Sequence, residues 1–206
     1  MLVSHAWGGR KDFEDRKAEH LAELGYVGFA LDMYGQGVTG TNPEENAALM
    51  QPLLDDRAML QRRMTLALEQ MSEQKEVDDA RTAAIGFCFG GLCVLDLART
   101  GADVRGVVSF HGLLGAPGNT EGTKISSKVL VLHGWRDPLA PPEDVLSFAN
   151  EMAGHDADWQ LQVYGNCMHA FTNPEAEAPD DGMQYDATAD HRSWDAMWVF
   201  LNEAFG

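Results

Sequence analysis

Short, nearly unbroken apolar runs alternate along the chain with longer stretches in which apolar residues return every third or fourth position. The runs read as strands: Leu2 to Ala6, Tyr26 to Met33, Ala83 to Phe87 (a buried one), Gly106 to Phe110, Lys128 to His133 and Trp159 to Tyr164. The periodic stretches read as helices. Asp12 caps one that runs to about Leu24, turns Ala18, Leu21 and Ala22 inward and stops at Gly25. Asp55 to Met71 carries Leu60, Met64, Leu68 and Met71 on a single stripe. Leu92 to Ala98 is apolar on nearly every side and reads as a buried helix. Pro141-Pro142 opens the next, with Val145, Phe148, Ala149 and Met152 on one face and Gly154 at its end. Trp194, Met197, Trp198 and Leu201 mark a C-terminal helix.

Two stretches lack either rhythm. Residues 35 to 54, rich in Gly, Asn, Pro and Glu, read as a loop with a helical turn after Pro43. Glu175 to Asp190, acidic and holding Pro179, reads as a solvated loop, with a lid over a pocket as the alternative.

Strands separated by helices predict one α/β domain over residues 1–206, a mostly parallel sheet with helices on both faces. The connection from Gly112 to Ser127 has no long apolar-periodic segment, so no cap domain is expected. In sheets of this kind the ligand site lies at the carboxyl ends of the strands. Reactive residues do fall there: Trp7 after the first strand, Cys88 after the strand ending at Phe87, Asp137 after the one ending at His133, and His169 after the one ending at Tyr164.

Composition narrows the function classes. Fifteen basic residues against thirty-two acidic ones give a net charge of −17, which disfavours nucleic acid and anionic membrane surfaces as partners. An apolar fraction of 45% with 23% charged residues is that of an ordinary globular enzyme. Cys88, Cys93 and Cys167 are an odd set with no zinc or disulfide spacing, so a reducing, cytoplasmic setting is expected. No apolar run reaches membrane length, and nothing at the start reads as a signal peptide.

The candidate chemistry centres on Ile85-Gly86-Phe87-Cys88-Phe89-Gly90-Gly91, an apolar strand, a Gly-flanked nucleophile and a helix start. This is the setting of a nucleophile elbow, G-x-S-x-G, with cysteine in the serine position. A β-carbon at Gly86 or Gly90 would press on neighbouring backbone in so sharp a turn. A small buried structural cysteine is the plainer alternative for this heptapeptide taken alone. The order nucleophile, acid, histidine is that of the α/β-hydrolases. Cys88 would attack a carbonyl as thiolate, His169 would take and return the proton, and Asp137 would hold the imidazole. The oxyanion would be met by the backbone N–H groups of Phe89 and of Trp7, the latter in the loop His5-Ala6-Trp7-Gly8-Gly9.

These stretches carry a family resemblance. Gly86-Phe87-Cys88-Phe89-Gly90-Gly91, Leu132-His133-Gly134-Trp135-Arg136-Asp137 and His169-Ala170-Phe171, with Leu24 to Val27 and Asp32 to Gly35, resemble the dienelactone hydrolase family of α/β-hydrolases with a cysteine nucleophile. The resemblance implies hydrolysis of an ester or lactone by a Cys–His–Asp triad, without metal or cofactor. Three departures stand beside it. The family's strands before Leu2 are missing here. Ala6 stands where the dienelactone hydrolases proper carry a glutamate that controls the charge on the nucleophile. Residues 32 to 56 hold no Lys or Arg, and Asn173 replaces an arginine that binds the substrate carboxylate, so a neutral ester, thioester or lactone is expected. A thioesterase or acyl transferase, and a catalytically silent binding protein of the same fold, are the alternatives.

The remaining candidates have plainer readings. His111 and His133 read as structural or pocket-lining residues, Cys93 and Cys167 as packing, and Asp32 as the anchor of a turn.

Overall fold

A computed structural model describes all 206 residues. The central apolar runs pair into a six-stranded sheet, all parallel: β1 (Leu2–Ser4), β2 (Phe29–Ala30), β3 (Ala83–Phe87), β4 (Gly106–Phe110), β5 (Lys128–Gly134) and β6 (Trp159–Tyr164). Their spatial order is β2-β1-β3-β4-β5-β6, so the elbow strand β3 lies inside the sheet. Six helices join and cover the strands: α1 (Asp12–Glu23), α2 (Pro43–Asp55), α3 (Arg57–Ser72), α4 (Phe89–Arg99), α5 (Pro142–Gly154) and α6 (Ala187–Phe205).

Alternation along the strands sends side chains to two cores. Leu2, Ala84, Val107, Val129 and Val131 meet α3, α4 and α5 on one face. Val3, Ile85, Phe87, Val108, Phe110 and Leu132 meet α1 and α6 on the other. Both faces are therefore covered, and the molecule has the mostly parallel α/β-hydrolase fold expected, with no cap domain over residues 112 to 127.

Four expectations change. The strand expected over Tyr26 to Met33 pairs only at Phe29 and Ala30, since β2 is the outer strand and has a neighbour on one side. The loop expected over residues 35 to 54, with a helical turn after Pro43, instead holds a full helix, α2, from Pro43 to Asp55. Asn42 caps it by accepting the Glu45 N–H at 2.9 Å, and Pro43 supplies a preset helical φ at its start. Helix α4 begins at Phe89 rather than Leu92 and takes both glycines into its first turn. Glu175 to Asp190 is not open loop: β7 (Glu177–Ala178) and β8 (Met183–Gln184) make an antiparallel hairpin ahead of α6.

Candidate active site

Strand β3 runs straight into α4, and the residue between them is Cys88. Its backbone sits at φ 56° and ψ −118°, a region that costs a non-glycine residue of order 1–3 kcal/mol. The turn is held because its neighbours approach so closely. A β-carbon at Gly86 would stand 2.0 Å from the Gly90 carbonyl oxygen, and one at Gly90 would stand 2.2 Å from that of Ser4. The Cys88 N–H donates to Phe110 O at 3.0 Å, which ties the elbow to β4. The sulfur is thereby lifted to the carboxyl end of the sheet, at the start of a helix whose partial positive charge favours an anion.

The acid and the histidine arrive from the next strands. Asp137 follows β5, and its Oδ2 lies 2.7 Å from Nδ1 of His169. Its other oxygen accepts the Leu139 N–H at 2.8 Å, so the carboxylate has one orientation. Both residues are buried, at 2% and 1% exposure. Their loops are stitched together: Trp135 N–H donates to Tyr164 O at 3.0 Å, and Arg136 N–H to Cys167 O at 2.8 Å. The β7–β8 hairpin holds the histidine from the far side. His169 N–H donates to Gly182 O at 2.9 Å, and Gln184 N–H donates to His169 O at 3.1 Å.

The remaining imidazole nitrogen, Nε2, is buried without an aligned hydrogen-bond partner, and the Cys88 sulfur is the group beside it. Burial would push the thiol up, but the His169 charge and the N–H groups of Phe89 and Trp7 outweigh it and bring Cys88 below the usual thiol range. Burial would push His169 down, but the Cys88 thiolate and the Asp137 carboxylate raise it to about 10. Both shifts act in the direction that favours a thiolate beside an imidazolium.

All five residues singled out from the sequence meet at this point. His169 Nδ1 lies 2.7 Å from Asp137 Oδ2, Cys88 is the group beside the other imidazole nitrogen, and the backbone N–H groups of Trp7 and Phe89 favour the Cys88 anion. A tetrahedral oxyanion on a carbon bonded to that sulfur would fall to the same two donors.

Other residues line the surrounding open cleft of about 750 Å³. His111 does so; its Nε2 is 2.9 Å from Thr172 Oγ1, and burial with the nearby His169 charge holds it well below the usual imidazole range. His133 is buried and does not line the cleft. Cys93 is core, and burial raises its thiol well above the usual range. Asp32 anchors a turn by accepting the Gly35 and Gly37 N–H groups, each at 2.8 Å. At the rim stand Arg10, Lys11 and Arg16, with Glu175 and Glu177 from the hairpin. Arg10 pairs with Asp15 at 2.7 Å and Lys11 donates to Gly40 O at 2.7 Å. No cluster of three or more His, Cys, Asp or Glu has the arrangement of a metal site.

Two features of the site have no signal in the sequence. Glu14, a helix residue by position, is buried at 2% exposure beside the Trp7 loop. The β7–β8 hairpin forms one wall of the cleft through Glu177, Ala178 and Met183.

Comparison with known proteins bears on the family and the fold. The dienelactone hydrolase family matches residues 1–205. The solved structure of a protein named m3DLH is 38% identical, superposes with a TM-score of 0.93, and is matched by all of this chain over 86% of its own length. The crystal structure of P91, a dienelactone hydrolase-like promiscuous phosphotriesterase from metagenomic libraries, is 40% identical with a TM-score of 0.91 and the same coverage. A Bradyrhizobium protein named as a probable 2-oxo-3-(5-oxofuran-2-ylidene)propanoate lactonase is 26% identical over 98% of this chain and 82% of its own.

Proposed function

The chain belongs to the dienelactone hydrolase family and is an ester or lactone hydrolase, and from that premise we propose that it works through Cys88, His169 and Asp137 by way of an acyl-enzyme. The observation that carries the reading is the buried Asp137–His169 contact of 2.7 Å beside a Cys88 held at φ 56° between β3 and α4.

The Cys88 thiolate attacks the carbonyl carbon, and the carbonyl π electrons move to oxygen, where the two N–H donors meet them. Collapse expels the alkoxide, which takes the proton from His169 Nε2 and leaves a thioester on Cys88. Neutral His169 then takes a proton from water, whose oxygen attacks the thioester. A second oxyanion forms and collapses, releasing the acid and restoring the thiolate–imidazolium pair. Asp137 stays ionised throughout, holding Nδ1 protonated and offsetting the imidazolium charge. The residues supply nucleophile, acid–base and anion stabilisation, so the cycle needs no metal or cofactor.

The substrate we assign is a small neutral ester or lactone. Asn173, not an arginine, lines the cleft after His169, and the rim cations are mixed with Glu175 and Glu177. A nucleophilic thiolate survives best under reducing conditions, and all three cysteines are free; we place the protein in the cytoplasm.

The likeness to P91 favours a second reading, cleavage of phosphotriesters. The same thiolate would attack phosphorus, expel the aryloxide, and pass the phosphoryl group to water.

The test is a substrate panel run on the parent enzyme and on Cys88→Ala: an aryl acetate, an unsaturated γ-lactone, its carboxylate-bearing analogue and a dialkyl aryl phosphate. The reading expects the neutral ester and lactone to be the better carboxyl substrates and all activity to vanish in the variant. Retained esterase activity in Cys88→Ala would refute it.

A further inference from the structure

Trp7 is an oxyanion donor only while its N–H faces the sulfur. In a trans peptide the N–H and C=O point opposite ways, so whatever holds the Ala6 carbonyl also aims the Trp7 N–H. The Ala6 oxygen has two partners, His5 Nδ1 at 2.6 Å and the Gly9 N–H at 3.2 Å. His5 Nε2 accepts the Met33 N–H at 3.1 Å, so the proton lies on Nδ1 and points at Ala6 O. On the other side of Trp7, its own carbonyl accepts the Tyr34 hydroxyl at 2.8 Å.

These contacts orient the two peptides of Trp7. They do not set how the loop sits on helix α1. Glu14 does that. One of its carboxylate oxygens accepts the Ala6 N–H at 3.1 Å and the other the Lys11 N–H at 3.0 Å. The loop from Ala6 to Lys11 is thus closed into a ring by one side chain at the third position of α1. An ionised carboxylate carries acceptors only, which suits two converging N–H donors. Both oxygens are spent on backbone N–H groups of the loop, at 3.1 and 3.0 Å. Any effect of Glu14 on the reaction therefore runs through the loop.

We propose that Glu14 is a positioning residue of the oxyanion hole, its buried carboxylate holding the Ala6 to Lys11 loop so that the Trp7 N–H stays aimed at the developing oxyanion. The proposal rests on the reading of Cys88 as nucleophile and adds to it a residue outside the triad.

The experiment compares Glu14→Ala and Glu14→Gln with the parent in two reactions of the same sulfur. Hydrolysis of an aryl acetate passes through an oxyanion. Alkylation by iodoacetamide at a pH where Cys88 is fully ionised does not. Misplacing one oxyanion donor is expected to lower kcat of Glu14→Ala by roughly 10²-fold, with KM little changed and the alkylation rate within about twofold of the parent. Glu14→Gln keeps one acceptor and turns an N–H₂ group towards the second donor, so its kcat should lie between the two. If Glu14→Ala does not fold, Glu14→Gln carries the test, with a kcat loss of about tenfold and unchanged alkylation expected. A folded variant with kcat within twofold of the parent overturns the proposal, as does a kcat loss matched by an equal loss of alkylation. Esterase activity retained in Cys88→Ala would instead remove the reading beneath it.

Discussion

Gly182 packs on Pro138 so closely that a β-carbon at 182 would stand 2.2 Å from Pro138 Cγ. The contact joins two functional loops, because Pro138 follows Asp137 in sequence and the Gly182 carbonyl accepts the His169 N–H at 2.9 Å. Gly182 also has φ +75°, which a larger residue adopts only with strain. Gly182→Ala should therefore separate acid and histidine. A misplacement of about 1 Å can cost roughly 10²-fold, and a fall in kcat/KM of that order is expected while the thermal melt shows a folded protein. Full activity in this variant would mean that the hairpin does not position His169.

Asp137→Asn tests the acid more narrowly. An asparagine must present its oxygen to either His169 or Leu139 and its amide to the other, and both partners are now donors. With the oxygen kept on the Leu139 N–H, the amide faces Nδ1 and the imidazole loses its Nδ1–H tautomer, for which the cost in kcat is roughly 10²–10⁴. Unchanged turnover would show that another group serves as the acid.

The pH behaviour follows from the direction of the two shifts. Cys88 is lowered and His169 is raised, so an ion pair is expected from below the free-thiol value of about 8.5 up to the imidazolium's own loss of charge near 10. Iodoacetamide should alkylate Cys88 at pH 6 to 7. Cys167, raised to about 11 by burial, and Cys93, which burial holds well above the usual thiol range, should not react there. Turnover should fall on the acid side as Cys88 gains its proton and on the alkaline side as His169 loses the proton it gives the leaving group. His169→Ala should move the Cys88 titration up to the ordinary thiol range. An alkylation midpoint near 8.5 in the parent would show that no standing ion pair exists.

Much of this arrangement was readable along the chain, and the reasons are local. Strands β3 and β4 lie where expected, because central parallel strands are buried on both faces and so appear as unbroken apolar runs; the edge strand β6 and helix α5 also lie where expected. Cys88, Asp137 and His169 could be picked out because the sheet places reactive residues just past strand ends. Helix α2 was not readable as such: Leu53 alone is fully buried, so there is no apolar stripe. The hairpin strands are two residues each, too short for any period. Glu14 escapes for another reason. A helix-start carboxylate is signalled by a Ser or Thr three residues earlier, and here that position is Lys11.

Substrate length should matter little. The cleft is open, no cap covers it, and Arg16, Glu175 and Glu177 stand at its rim. Methylenes beyond the first few would emerge into water. Each buried methylene is worth about 0.8 kcal/mol, or roughly fourfold in kcat/KM, and that gain should fade well before an eight-carbon acyl chain. A series of aryl esters of increasing acyl length measures it, and a sustained rise through eight carbons would place an apolar tunnel where the structure has an open cleft.

The proposed reaction passes through a covalent bond to Cys88. Mixing the enzyme with an aryl acetate, quenching in acid within the first turnover and mapping the digest by mass spectrometry looks for that bond directly. The expected result is an acetyl group on the peptide containing Cys88, appearing in step with the first equivalent of aryl alcohol and absent from Cys88→Ala. Aryl alcohol released turnover after turnover with Cys88 unmodified at every time would contradict it.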